Sequence, residues 1–346
     1  MATPKSIISG YRQSSKIAGW LDEVKCSGML FTSSIPSLKN PQTQHTPICI
    51  EGLSFDGNLF EKDFSLLDSY ITTTHNLGIL DLGDQVFSAK SIVGLTKLLV
   101  KVRKIYFLKL GRVEFSDSVL KMFLDWLVNK RISIHQLDLG SMELSLNRVS
   151  ALHNLLVKSS TIEKLDMSQS YWKHDQIRAF IWLQNKQKAL PSRIAISNIN
   201  TSQVALIHLL SFLSNASSTC RILSINGTHT PKACIDTLLQ NLDQDSGLQG
   251  CVFNNTLFDS PQTTSLMRLL TSSGLSRVGL VGCEWDMSQS FEGPVNDNSA
   301  KKSVIYFEKS PRCTQTGQLT WLLKLGYVID KEVSANTFWL RKRTIN

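Results

Sequence analysis

The side chains able to do chemistry are plentiful but scattered. The seven histidines are His45, His75, His135, His153, His174, His208 and His229. None has H-x-x-x-H or H-E-x-x-H spacing, which would put two ligands on one helix face beside a general base, so no metal site is expected. The chain has no G-x-x-x-x-G-K-[ST] phosphate loop, no G-x-G-x-x-G turn after a strand and no G-x-S-x-G nucleophile elbow. A Cys/His pair could still meet in space, but nothing in the spacing points to one. The expectation is a chain that is not an enzyme, with no cofactor and no small-molecule ligand.

The seven cysteines (Cys26, Cys49, Cys220, Cys234, Cys251, Cys283, Cys313) form no C-x-x-C pair. An odd count without framework spacing suggests a reducing, cytoplasmic compartment. Asn-x-Ser/Thr sequons at Asn200, Asn215, Asn226 and Asn254 matter only for a secreted chain.

Recognition chemistry remains. Asp81, Lys109, Asp138 and Asp166 recur at intervals of 28 or 29 residues, as do Phe107, Lys164 and Arg193 within a parallel series. These intervals belong to a longer pattern. The segment Ile134-His135-Gln136-Leu137-Asp138-Leu139, with Leu144 beyond it, has apolar residues at relative positions one, four, six and eleven. Copies begin at Leu77, Ile105 and Ile162, with Phe87, Phe115 and Trp172 at position eleven. Position four reads Leu53, Leu80, Leu108, Leu137, Leu165, Ile194, Leu223, Cys251, Val278 and Ile305, in steps of 27 to 29 residues. Between copies, apolar residues fall at three- and four-residue spacing, as in Ile92, Leu95, Leu98 and Leu99 or Leu120, Phe123, Leu124 and Leu127. Each unit is therefore a short strand, a turn and a helix, and neighbours must stack to bury their apolar faces.

This pattern resembles the ribonuclease-inhibitor type of leucine-rich repeat. The resemblance implies an α/β fold: a curved solenoid of about ten repeats, with parallel strands on the concave face and helices on the convex face. Position nine departs from the family's Asn or Cys, reading Gln85, Val113, Met142, Ser170, Ile199, Thr228, Thr256 and Cys283. Thr228, Thr256 and Cys283 can tie the turn backbone; Val113, Met142 and Ile199 cannot, so the chain reads as a divergent member. Phe87, Phe115, Trp172, Phe258 and Trp285 at position eleven are expected in the core.

Residues 1–47 read as a basic leader or N-terminal cap outside the repeat, residues 48–326 as the solenoid, and residues 327–346 as a C-terminal cap and basic tail. The first, capping repeat is expected to carry a helix through Phe64, Leu67 and Ile71. The polar stretch 286–302, with Gly293-Pro294, is expected to be an irregular loop replacing a helix. The basic leader is compatible with organelle targeting or bacterial secretion. No stretch approaches the apolar length of a membrane span.

The net charge of +9 is concentrated at the ends. Residues 1–47 hold five bases against two acids and residues 301–346 nine against three, which leaves the repeats neutral overall. A nucleic-acid groove needs its bases along one surface, so nucleic acid is not the expected partner. The expected function is non-enzymatic protein binding on the concave face, as an adaptor, scaffold or inhibitor. Asp81, Phe107, Lys109, Asp138, Lys164, Asp166 and Arg193 are the candidate contact residues: Phe107 as the anchor, the charges for complementarity. The basic run Lys101, Arg103, Lys104, Lys109 and Arg112 is a second candidate, for an acidic partner. The alternatives are a small-GTPase regulator resembling Ran-type GTPase-activating proteins, against which the basic tail counts, and a ubiquitin-ligase substrate-recognition subunit, which needs an adaptor-binding helical box in 1–47.

Overall fold

The computed structural model describes residues 29–32, 48–50, 52–55, 64, 71–73, 75–215, 218–243, 246–272, 275–285, 304–308, 322, 327–334 and 337–342. The fold is α/β, with parallel strands and, among the described residues, seven α-helices. The chain divides into two compact units, Met1–Asp166 and Met167–Asn346.

The first unit contains β1 (Met29–Thr32), β2 (Ile48–Ile50), β3 (Gly52–Phe55), β4 (Ile71–Thr73), β5 (Asn76–Asp81), β6 (Val86–Phe87), β7 (Lys104–Lys109), β8 (Glu114–Phe115), β9 (Ser133–Asp138) and β10 (Lys164–Asp166). Its helices are α1 (Ala89–Leu98), α2 (Asp117–Asn129) and α3 (Leu146–Lys158). The main sheet runs β1-β3-β5-β7-β9-β10, with every pairing parallel. Leu30, Leu53, Leu80, Leu108, Leu137 and Leu165 stand opposite one another in register. The last five of these are buried, and each burial contributes on the order of 1.5–3 kcal/mol. β2 with β4, and β6 with β8, form separate parallel pairs.

Met29–Thr32, within the stretch read as a basic leader or N-terminal cap, adds β1 to the sheet edge beside β3. One segment differs from expectation. Ile71, expected on a helix, lies in β4 instead; the β-branched run Ile71-Thr72-Thr73 suits an extended backbone better than a helical one.

The second unit contains β11 (Arg193–Ser197), β12 (Ile222–Asn226), β13 (Gly250–Asn254), β14 (Leu257–Phe258), β15 (Arg277–Val281), β16 (Glu284–Trp285), β17 (Val304–Glu308), β18 (Tyr327–Ser334) and β19 (Thr337–Lys342). Its helices are α4 (His174–Gln187), α5 (Gln203–Ser214), α6 (Lys232–Asp243) and α7 (Ser260–Ser272). β11, β12, β13, β15 and β17 pair in parallel; β19 then pairs antiparallel with β17, and β18 antiparallel with β19. Ile194, Leu223, Cys251, Val278 and Ile305 stand in register and are buried. Residues 286–302, assigned to an irregular loop, lie outside the described residues.

The turns repeat as regularly as the strands. Ser88, Ser116, Ser145 and Ser202 each cap a helix, the hydroxyl accepting from the amide three residues on, which is worth about 1 kcal/mol apiece. Position eight of the pattern takes a left-handed backbone at Asp84, Arg112, Ser141, Gln169, Asn198, Asn255 and Gly282, with φ between 44° and 61°. All five position-eleven aromatics are buried, and Phe87 and Phe115 stack with centroids 5.3 Å apart. At position nine, Thr228 Oγ1 donates to Asn255 O at 3.4 Å, Thr256 Oγ1 to Asn254 O at 3.1 Å and Cys283 Sγ to Phe253 O at 3.1 Å. Ser170 joins them, its hydroxyl donating to Met167 O and accepting from Trp172 Nε1.

Candidate functional site on the sheet of the first unit

The burial pattern along a strand decides what this surface presents. In β7, Ile105 and Leu108 point inward and are buried, while Tyr106, Phe107 and Lys109 retain exposure. Parallel pairing in register then lines up equivalent positions into rows. Asp81, Lys109, Asp138 and Asp166 form one row across β5, β7, β9 and β10. Ile79, Phe107, Gln136 and Lys164 form a second. The structure thus brings together six of the seven candidate contact residues. The seventh, Arg193, opens β11 in the second unit, with its side chain exposed.

The first row is acidic. Lys109 Nζ lies 3.1 Å from Asp81 Oδ2, so the lone cation of the row is engaged with one neighbour. Asp81 Oδ1 also accepts from Gly83 N at 2.9 Å, and Asp138 Oδ1 from Gly140 N at 2.7 Å. Burial raises the pKa of Asp138 above the ordinary carboxylate value; the charges of Asp166 and Asp81 add to the rise, while the Gly140 amide and Lys109 oppose it. A carboxylate in that position gains from an incoming cation, because the cation offsets both the lost hydration and the like charges. Phe107 is half-buried beside this row and offers apolar area next to the charges.

A third row was not anticipated. Tyr106, His135 and Glu163 occupy position two of successive copies. The Tyr106 and His135 rings meet edge-on with centroids 6.4 Å apart, His135 Nδ1 lies 3.5 Å from Glu163 Oε1, and Lys104 Nζ sits 4.2 Å above the Tyr106 ring. Tyr106 is 45% exposed, large for an aromatic residue on a sheet. The signal was in the sequence: among the described residues position two is nowhere buried, so an aromatic there faces solvent.

Among the described residues, no group of three or more His, Cys, Asp or Glu is arranged to hold a metal ion, and no helix is long and apolar enough to cross a membrane. Compared with known proteins, the chain matches no family model and no curated protein.

Proposed function

We propose that this chain is a non-enzymatic protein-binding module, built as a curved leucine-rich-repeat solenoid, that grips a partner on the open face of its sheet. The reading is supported chiefly by the row Asp81–Lys109–Asp138–Asp166, which sets three carboxylates against one ammonium in strict register. With strands about 4.8 Å apart, such a row matches basic side chains spaced along an extended or helical partner segment. Phe107 and Tyr106 supply the desolvated aromatic area around which binding energy concentrates. Adaptor, scaffold and inhibitor roles all use this chemistry.

The test is a pull-down comparing wild type with the double variant Asp138→Lys, Asp166→Lys, with circular dichroism to check folding. Loss of the captured partner at unchanged helicity supports the reading; an unchanged partner set overturns it. Small-angle scattering tests the solenoid separately: an elongated, curved envelope is expected, and a compact spherical one rules it out.

A further inference from the structure

We propose that the second unit carries its own docking pocket, which takes one bulky apolar side chain, best an aromatic one, from an acidic segment of a partner protein. This rests on the reading that the sheet face binds protein, but it uses a different surface and the opposite charge. The pocket has a volume of about 270 Å³ and lies on the sheet, lined by Ile222, Gly250, Val252, Arg277, Gly279 and Tyr306 among others.

Two glycines make the hollow. Ile222, Gly250 and Arg277 stand in one row across β12, β13 and β15, and Val252, Gly279 and Tyr306 in another across β13, β15 and β17. Each row lacks its central side chain, and the two gaps are diagonal neighbours. The walls close tightly on those gaps. A Cβ on Gly279 would come 2.8 Å from a Val252 methyl, and one on Gly250 3.1 Å from the Arg277 carbonyl oxygen. Glycine inside a strand weakens it, and it recurs where another group approaches the backbone closely. Here the two, both buried, stand on neighbouring strands, give up side-chain packing there and leave an apolar depression between Ile222, Val252, Arg277 and Tyr306.

Size and charge choose the occupant. Small-molecule sites generally run from about 300 to 1,000 Å³, so this depression suits a single large side chain better than a drug-sized ligand. The strands β11, β12, β13 and β15 contain Arg193 and Arg277 and no Asp or Glu. Across them the order is Arg193, Ile222, Gly250, Arg277, so the two exposed arginines flank the pocket in one row. Their Cα atoms are three strand spacings apart, about 14 Å. An extended peptide covers that span in about four residues. A segment with an aromatic residue in the hollow therefore places acidic residues on either side within reach of the two guanidinium groups, where bidentate pairing is available.

The test uses the full chain with isotope-labelled Ile, Leu and Val methyl groups, titrated with the acetylated peptide Glu-Asp-Gly-Trp-Gly-Asp-Glu. Two controls replace Trp by Ala, or every acid by Lys. Saturable shifts of the Ile222 and Val252 methyls are expected with a Kd below about 1 mM, with no binding of either control. Arg277→Glu is expected to weaken the peptide at least about tenfold. The absence of saturable shifts, equal binding of the Ala peptide, or an unchanged Kd in a folded Arg277→Glu variant overturns the proposal. The double variant Asp138→Lys, Asp166→Lys separates the two readings. It is expected to keep the peptide affinity of wild type while losing the partner captured by the first unit, so either surface can fail without the other.

Discussion

Arg148 Nε donates to Asp117 Oδ1 at 2.8 Å, tying the first turn of α3 to the first turn of α2. Ser145 Oγ donates to the other carboxylate oxygen at 2.6 Å, and Arg148 also donates to the carbonyls of Glu143 and Phe115. One arginine therefore satisfies polar groups from two consecutive repeats. Arg148→Ala is expected to lower stability by about 1–3 kcal/mol, read from chemical denaturation.

The same cluster sets an acid dependence. The Ser145 hydroxyl, followed by Arg148, holds the Asp117 pKa below its ordinary value of 3.8. A depressed carboxylate pKa stabilises the fold above the unfolded-state value, and that stability is lost as pH falls through the folded-state value. The stability gap between wild type and Asp117→Asn should be full at neutral pH and shrink below about pH 4. A gap independent of pH down to the acid transition would show that the charge of Asp117 does not contribute.

Asp138 behaves in the opposite sense. Its folded-state pKa is raised, chiefly by burial, so its ionised form costs stability at neutral pH and the cost disappears as pH falls through the raised value. Asp138→Asn keeps an acceptor for the Gly140 amide and removes the charge. The variant should melt higher than wild type at pH 7, with the two converging towards pH 4. An equal or lower Tm at pH 7 would contradict this origin of the shift.

Burial pushes the Cys220 and Cys283 thiols up to about 12 and the Cys234 thiol up to about 11. Cys251 rises too, again from burial. Thiolate is the reactive form, so these four sites should resist maleimide or disulfide reagents at pH 8 in the native state and react after denaturation. Peptide mapping by mass spectrometry reads each site; native labelling of Cys251 at a rate comparable to the unfolded chain would be inconsistent with its burial.

Gly111 lies where consecutive turns touch: a Cβ there would come 2.4 Å from the Gly140 carbonyl oxygen. Backbone cannot yield as a flexible side chain can. Gly111→Ala is expected to cost about 2 kcal/mol or more, measured by thermal or urea unfolding. Unchanged stability of the Gly111→Ala variant would mean the two turns separate freely.

Much of the local architecture could be read from residue spacing. Position four and position eleven mark inward sites because no polar residue can fill them without losing hydration, and every one of those named is buried. Six of the seven candidate contacts fall into rows because strict register follows from a near-constant step. What escaped had weaker periodic signatures. The pocket between Val252 and Gly279 arises from absent side chains, which a pattern of apolar positions does not register. Tyr106 and His135 looked unremarkable singly and became a cluster only when adjacent strands set them side by side. β1 was missed because Met29–Thr32 has no helix of matching period beside it in the sequence. The boundary between the two units leaves no mark in the step lengths at all.

The left-handed residue leaving each strand has an evolutionary consequence. Outside glycine this conformation costs about 1–2 kcal/mol, and six of the seven recurring sites are occupied by Asp, Arg, Ser, Gln or Asn. Glycine would relieve most of that cost, less its own greater loss of chain entropy. The chain thus holds a reserve of small, independent adjustments, one per bend, through which lineages can drift in thermal tolerance without touching either proposed surface.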